Sequence, residues 1–285
     1  MDAVPTFHNR PSLFDLSGMV AIVTGSSQGI GRASAERLVE HGAQVVISSR
    51  TLTDCEHLAD ELNSQYGADR AIAVRCDISE ESDLSALVEA TMATWGRIDC
   101  LVCNAVIHGK GTSWIEKIDV DEFTRAFIGT VSNTLLLTKL VAQVMRRQGS
   151  GSVIYMASTA GVAALEDFTS YGVSKAALIH LARILAVQLG PSNVRVNAIS
   201  PGIIASAGLE SPEWRSGERQ RVVLGPTPFG RPGLPDEIAG CVVWLASPAA
   251  SYATGQNFII DGGQSLKGMH GPHEMFELVR ERLRS

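Results

Sequence analysis

Ser158, Tyr171 and Lys175 are the side chains of this sequence whose types and spacing best suit proton chemistry. Tyr171 and Lys175 stand at i and i+4, so a helix through them puts both on one face. A phenol ordinarily titrates at about 10, too high for a base at neutral pH. A neighbouring ammonium favours the phenolate and lowers that value. Ser158 follows the β-branched run Ser152–Met156, at the carboxyl edge of a strand, where open α/β sheets bind ligands. A hydroxyl there can hold a carbonyl oxygen while Tyr171 donates its proton, which is general acid–base catalysis. Alone, Tyr-x-x-x-Lys is a weak signal, since many surface helices contain one.

A second motif supplies the partner for that chemistry. The apolar run Val20–Thr24 leads into Gly25-Ser26-Ser27-Gln28-Gly29-Ile30-Gly31, and a helical pattern follows at once. Glycines at such a turn let the backbone approach a pyrophosphate, whose charge sits on the helix N-terminus. The next strand ends in Ser48-Ser49-Arg50, with no carboxylate before Asp54. A site for NAD places Asp or Glu near this point, on the ribose 2′-hydroxyl. An arginine can instead pair with a 2′-phosphate, so the residues favour NADP(H) over NAD(H). Asp77, after the third strand, can accept a hydrogen bond from the adenine amino group or serve near a helix N-cap ahead of Glu80 and Glu81. An oxidised nicotinamide near Tyr171 would add to the pull of Lys175 on the phenol.

The elements that must position these groups show in the apolar pattern. Short runs at Val20–Thr24, 43–48, Ala71–Arg75, 98–103, 152–156, 194–198 and Asn257–Ile260 alternate with helical stretches. Continuous apolar strands separated by helices predict one parallel sheet of about seven strands, covered on both faces. The 285 residues leave room for one large or two small domains, and the unbroken alternation selects one, over 17–263. Residues 1–16 are a leader without an assignable role. A Gly/Pro-rich interval at 206–235, which holds Trp214 and Phe229, is expected to form a substrate loop. Residues 264–285 are expected to end in an amphipathic helix at an interface or pocket mouth, with Met275, Phe276, Val279 and Leu283 on one face.

Composition narrows the function classes. With 24 basic and 30 acidic residues the net charge is −6, which argues against a nucleic-acid surface. No apolar run reaches the length of a membrane span, and the leader lacks the signature of a signal peptide; a cytoplasmic location is expected. Five cysteines do not suggest a disulfide framework. Cys100 and Cys103 have zinc-like spacing, but on a strand they face opposite ways, so no metal site is expected. His108 can line a pocket or lie in a loop.

Taken together, Thr24-Gly-x-x-x-Gly-Ile-Gly31, Asn104-Ala105, Ser158, Tyr171-x-x-x-Lys175, Pro201-Gly202 and Asp261-Gly-Gly263 resemble the short-chain dehydrogenase/reductase family over residues 18 to 263. The resemblance implies a doubly wound Rossmann-type fold with Tyr171 as catalytic acid/base and Ser158 orienting substrate. Lys175 would hold the nicotinamide ribose and lower the tyrosine pKa. The turn residues Gly25, Ser27, Gln28, Gly29, Ile30 and Gly31 would cradle the cofactor, with Arg50 and Asp77 at its adenosine end. Asn104 would lie by the adenosine ribose, Pro201 and Gly202 would belong to the cofactor site, Ile204 would offer backbone to the carboxamide, and Ser206 would stand where relatives often have Thr. Two positions depart from the pattern. Val106 replaces a glycine, and Thr130 takes the place of the asparagine that completes the family's catalytic set. Thr130 is expected to bond its own helix backbone; Asn133, one turn on, is the alternative. Relatives are commonly homotetramers or homodimers built on helices around 120–147 and 171–189. The reading is an NADP(H)-dependent oxidoreductase, of carbonyl-reductase type, acting on a small-molecule carbonyl or secondary alcohol. The alternatives are a cofactor-binding sensor or scaffold, and enone reduction or elimination on the same fold.

Overall fold

Each of the seven apolar runs forms a strand, three with the same bounds as in the sequence pattern and four with ends shifted by one to three residues. The computed structural model describes residues 12–107, 115–164, 168–205 and 227–267. The strands are β1 (Val20–Thr24), β2 (Gln44–Ser49), β3 (Ala71–Arg75), β4 (Cys100–Cys103), β5 (Gly151–Met156), β6 (Val194–Pro201) and β7 (Asn257–Ile260). They make one seven-stranded sheet in the order β3-β2-β1-β4-β5-β6-β7, and every pairing is parallel. Between them run α1 (Gly29–Glu40), α2 (Leu52–Tyr66), α3 (Glu81–Trp95), α4 (Val120–Phe127), α5 (Asn133–Gln148), α6 (Thr169–Leu189) and α7 (Pro235–Ala246).

Alternate residues of a strand point to opposite faces, and this divides the core in two. Val23, Val45, Val102 and Ile154 pack with Leu38, Leu58 and Val242 of α1, α2 and α7. Their strand neighbours Ile22, Val46, Leu101 and Val153 pack with Leu87, Val141, Met145 and Leu178 of α3, α5 and α6. Cys100 falls in the first cluster and Cys103 in the second, so the strand does turn the two thiols away from each other. Burial on both faces is why the central strands read as continuous apolar runs. The outer strands β3 and β7 are only part-buried.

The segments Val120–Gln148 and Thr169–Ser192 are long and apolar enough in composition to cross a membrane. One face of each is spent on the sheet instead: Leu137, Val141 and Met145 of one and Leu178, Ala182 and Leu185 of the other are buried. The first segment is not a uniform helix. Between α4 and α5 lies a π turn over Ile128–Ser132, closed by the Asn133 N–H on the Ile128 carbonyl; such turns often mark functional sites.

At the N-terminal side, Leu16 is only 1 % exposed. Its N–H bonds to the His41 carbonyl, and Leu13 accepts from the Ala249 N–H, so the end of the leader packs with the domain. The leader up to residue 11, residues 206–226 of the long loop and the tail from 268 lie outside the described residues. Strand order reverses at β1, with β2 and β3 on one side and β4 to β7 on the other. That reversal opens a crevice at the carboxyl ends, the usual ligand position in this architecture.

Candidate active site

The turn after β1 is fastened to the ends of β2 and β4. Ser26 Oγ donates to the Val23 carbonyl and accepts from the Ser48 N–H, both at 2.8 Å. Thr24 Oγ1 accepts from the N–H groups of Asn104 and Ala105, each at 3.1 Å. Asn104, expected beside the adenosine ribose, directs its amide nitrogen at the Thr24 and Gly25 carbonyls, both at 3.0 Å. It shapes the turn from below. A Cβ on Gly31 would collide with the Gly25 carbonyl oxygen, so residue 31 must be glycine for α1 to start this close to β1.

Gly29 differs. Its φ is 57°, and among the described residues no atom beyond its chain neighbours and its own helix backbone lies within 4 Å of where a Cβ would stand. The N-cap Gln28 makes no side-chain bond to the helix, and the first turn of α1 carries no acid. Unspent N–H groups and a positive dipole end open to solvent suit the diphosphate of a dinucleotide. Ser27, Gln28 and Ile30 lie along the same open rim, part-buried or exposed.

Further along the edge, Arg50 follows β2 and is exposed. The Asp77 carboxyl is held below its ordinary value by the Ser79 N–H first, and also by the Ser79 hydroxyl, Arg50 and Arg75. It therefore stays an acceptor at neutral pH. Beyond β6, Pro201 is buried and the Gly202 N–H bonds to the Ile260 carbonyl. Ile204 bridges to Gly233, but the bonds run through its neighbours: Gly233 N–H to Ile203 O and Ala205 N–H to Gly233 O. The N–H and carbonyl of Ile204 thus face the other way, as a carboxamide partner must. These features fit a nicotinamide dinucleotide.

The chemical residues come together where β5 meets α6. Ser158 caps a short 3-10 turn at Thr159–Gly161, its Oγ accepting from the Ala160 N–H at 3.1 Å. Lys175 is 2 % exposed and donates through Nζ to the Met156 carbonyl at 2.6 Å. The ammonium lies 5.4 Å from the Tyr171 ring centre, and Phe168 meets the same ring edge-on at 6.1 Å. Burial lowers the Lys175 pKa from 10.5 to about 8, with Cys103 opposing weakly. Tyr171 moves up rather than down, because burial outweighs the hydrogen bond from Ser158. The ammonium keeps its charge while it donates to Met156, but in the protein without cofactor burial sets the direction of the phenol's shift.

Thr130 and Asn133 also behave otherwise than expected. Thr130 is 1 % exposed, and its hydroxyl brackets the backbone of Ile107, accepting from the N–H at 3.3 Å and donating to the carbonyl at 3.4 Å. It does not bond its own helix, because the π turn aims it across at the loop after β4. Asn133 is committed elsewhere, its Nδ2 donating to the Ile78 carbonyl at 2.7 Å. Val106 lies part-buried beside Ile107 in that same loop. Ser206, His108 and Trp214 lie outside the described residues.

Sequence reasoning missed two glycines that bring the halves of the site together. A Cβ on Gly161 would come within 2.6 Å of the Ala176 nitrogen, and one on Gly172 within 2.9 Å of the Ala160 carbonyl oxygen. Both let the Ser158 turn lie directly on α6. The only hint in the sequence is the position of Gly172 between Tyr171 and Lys175. Among the described residues no cluster suited to a metal ion is found. Burial pushes both Cys100 and Cys103 up to about 12, which leaves inert thiols.

Residues 25–265 match a family model described as enoyl-(acyl carrier protein) reductase. The chain is 38 % identical over 248 residues to the 7alpha-hydroxysteroid dehydrogenase of Escherichia coli, covering 87 % of this chain and 94 % of that one. It is 33 % identical over 266 residues to the NAD-dependent glycerol dehydrogenase of Listeria innocua, covering 92 % and 100 %. A solved 7 alpha-hydroxysteroid dehydrogenase in complex with NADH and 7-oxo glycochenodeoxycholic acid matches with TM-score 0.80 at 36 % identity, over 88 % of this chain and 95 % of that one. A short-chain type dehydrogenase/reductase from Mycobacterium marinum matches with TM-score 0.80 at 34 % identity, over 88 % and 97 %.

Proposed function

The chain belongs to the short-chain dehydrogenase/reductase family, whose members here interconvert alcohols and carbonyls, and from that premise we propose an NADP(H)-dependent enzyme acting on a ketone or secondary alcohol. The carrying observation is the convergence of Ser158, Tyr171 and buried Lys175 at one sheet edge, beside a turn shaped for a diphosphate. A bound nicotinamide supplies or accepts the hydride. Tyr171 holds the proton at its phenol oxygen and gives it to the carbonyl oxygen, or takes it back in the oxidative direction. Ser158 Oγ, fixed by the Ala160 N–H, orients that oxygen. Lys175 keeps two N–H donors beyond the one given to Met156, enough to hold a ribose hydroxyl. Its positive charge favours the phenolate when burial alone would not.

NADP(H) is favoured because Ser48-Ser49-Arg50 offers a guanidinium and no carboxylate to the ribose. Relatives linked to NAD make the point worth testing directly. Purified protein should oxidise NADPH faster than NADH against a panel of ketones. Arg50→Asp should lower kcat/KM for NADPH by about tenfold or more relative to NADH, the size of a lost charged pair. An unchanged ratio would remove Arg50 from phosphate recognition. Exposed Val120, Ile128 and Leu135, with Val173, Ile184 and Val187 on α6, support a homotetramer or homodimer through these helices.

A further inference from the structure

The π turn touches both loops that flank the cofactor crevice. Thr130 brackets Ile107 after β4, while Asn133 reaches across to Ile78 after β3, a residue 55 positions earlier. We propose that Asn133 is a positioning residue for the adenine end of the dinucleotide, acting through the Ile78 carbonyl.

Three observations carry this. First, Asn133 occupies a backbone site that fixes where its side chain starts, since its N–H closes the π turn on Ile128. Second, the amide makes a short 2.7 Å bond to Ile78, whose neighbour Asp77 is the group suited to the adenine amino group. Third, the loop it holds leaves β3, an outer strand that is only part-buried. On its far side that loop is held by Asp83, which accepts from the Asp77 N–H at 2.9 Å. The Ser79 N–H and hydroxyl then aim the Asp77 carboxylate, at 2.9 and 2.7 Å. From the core side the Ile78 side chain packs on the cluster under α3 and α5, and Asn133 fixes its carbonyl. Without the Asn133 bond the Ile78 carbonyl loses this partner, and the loop gains room to shift the carboxylate off the base.

The inference rests on reading Asp77–Ile78 as the adenine end, so the test separates the two. Binding of NADP+, NAD+ and ADP-ribose 2′-phosphate, which lacks the nicotinamide, is measured by calorimetry alongside steady-state kinetics. Asn133→Ala should raise KM for the cofactor and the Kd of ADP-ribose 2′-phosphate by a common factor of about five, the size of one neutral hydrogen bond. At saturating cofactor kcat should stay within about twofold of wild type, since only ground-state binding is lost. Asn133→Gln keeps the donor on a longer arm and should recover much of the affinity. Asn133→Asp sets a carboxylate against a carbonyl and should lose more than Ala. A fall in kcat with KM unchanged would overturn the proposal. So would a lower Tm with unchanged affinity for ADP-ribose 2′-phosphate, or the failure of all three variants to fold. Wild-type protein that bound neither dinucleotide would remove the cofactor reading itself.

Discussion

At the glycine turn after β1 the protein presents main chain. Gly25, Gly29 and Gly31 set the path, and Thr24, Ser26 and Asn104 spend their side chains holding that path in place. At the chemical end it presents side chains, and their properties come from burial. Lys175 loses nearly all contact with water and its pKa falls, while the Tyr171 phenol rises. One end offers a ligand shape and backbone dipoles, which cost little to keep in water. The other stores an unfavourable buried charge that bound cofactor would relieve. Substitutions should therefore separate: at the chemical end they should affect turnover and pH dependence, at the glycine turn affinity and stability.

The largest effect belongs to the phenol. Tyr171→Phe removes the proton donor but keeps the ring against Phe168 and the Lys175 ammonium. It should lower kcat by about a hundred- to ten-thousandfold, the usual worth of general acid–base catalysis, with cofactor Kd within about twofold of wild type. Fluorescence titration with NADPH checks the second part. A variant that turned over at the wild-type rate would place the proton elsewhere.

Next in size is the buried charge of Lys175, whose folded pKa of about 8 lies below the unfolded 10.5. Below pH 8 both states are protonated and folding bears the full cost of burying the cation. Between 8 and 10.5 the unfolded state binds more protons, so this group makes stability rise with pH. The gain is of order 3 kcal/mol over the window. Cys100 and Cys103, pushed up to about 12, act in the opposite sense and must be cancelled. Urea unfolding of wild type and Lys175→Met at matched pH cancels Cys100, and repeating the pair on a Cys103→Ser background removes the thiol whose titration is coupled to Lys175. Wild type should gain on the variant from pH 8 to 10; a constant difference would mean that Lys175 does not titrate in that window.

How much of this was legible in the sequence follows the same division. The five inner strands were readable because doubly buried strands must be apolar throughout, and Ile22 beside Val23 or Leu101 beside Val102 says so directly. The glycine turn was readable because steric demand leaves no alternative to glycine at residue 31. What escaped was long-range pairing. Nothing in the run Ile128–Asn133 announces a π turn, since its cause is tertiary: Gly129 packs under the Ile107 side chain, and Thr130 and Asn133 find carbonyls in two other loops. The direction of the Tyr171 shift escaped for a related reason. Spacing put Lys175 on the right face, but only the fold shows the burial that raises the phenol.

The smallest effects fall on the turn, where two glycines test whether shape serves the fold or the ligand. Gly31→Ala drives a Cβ into the Gly25 carbonyl and to 2.6 Å from the Asn104 amide. Both belong to the fastened frame of the turn, so the cost should appear without ligand, at about 1–3 kcal/mol of unfolding free energy. Gly29→Ala meets no protein atom, and its left-handed φ of 57° should cost only about 1 kcal/mol. The added methyl stands where a diphosphate must approach, so dinucleotide affinity should drop by about tenfold or more, on the scale of one lost charge-assisted contact. Thermal unfolding with and without NADP+ reads both terms for each variant. If Gly29→Ala kept its ligand-induced rise in Tm, the diphosphate would have to lie elsewhere on the edge. Recognition at this end would then have to come from the Arg50 and Asp77 side chains instead of the backbone.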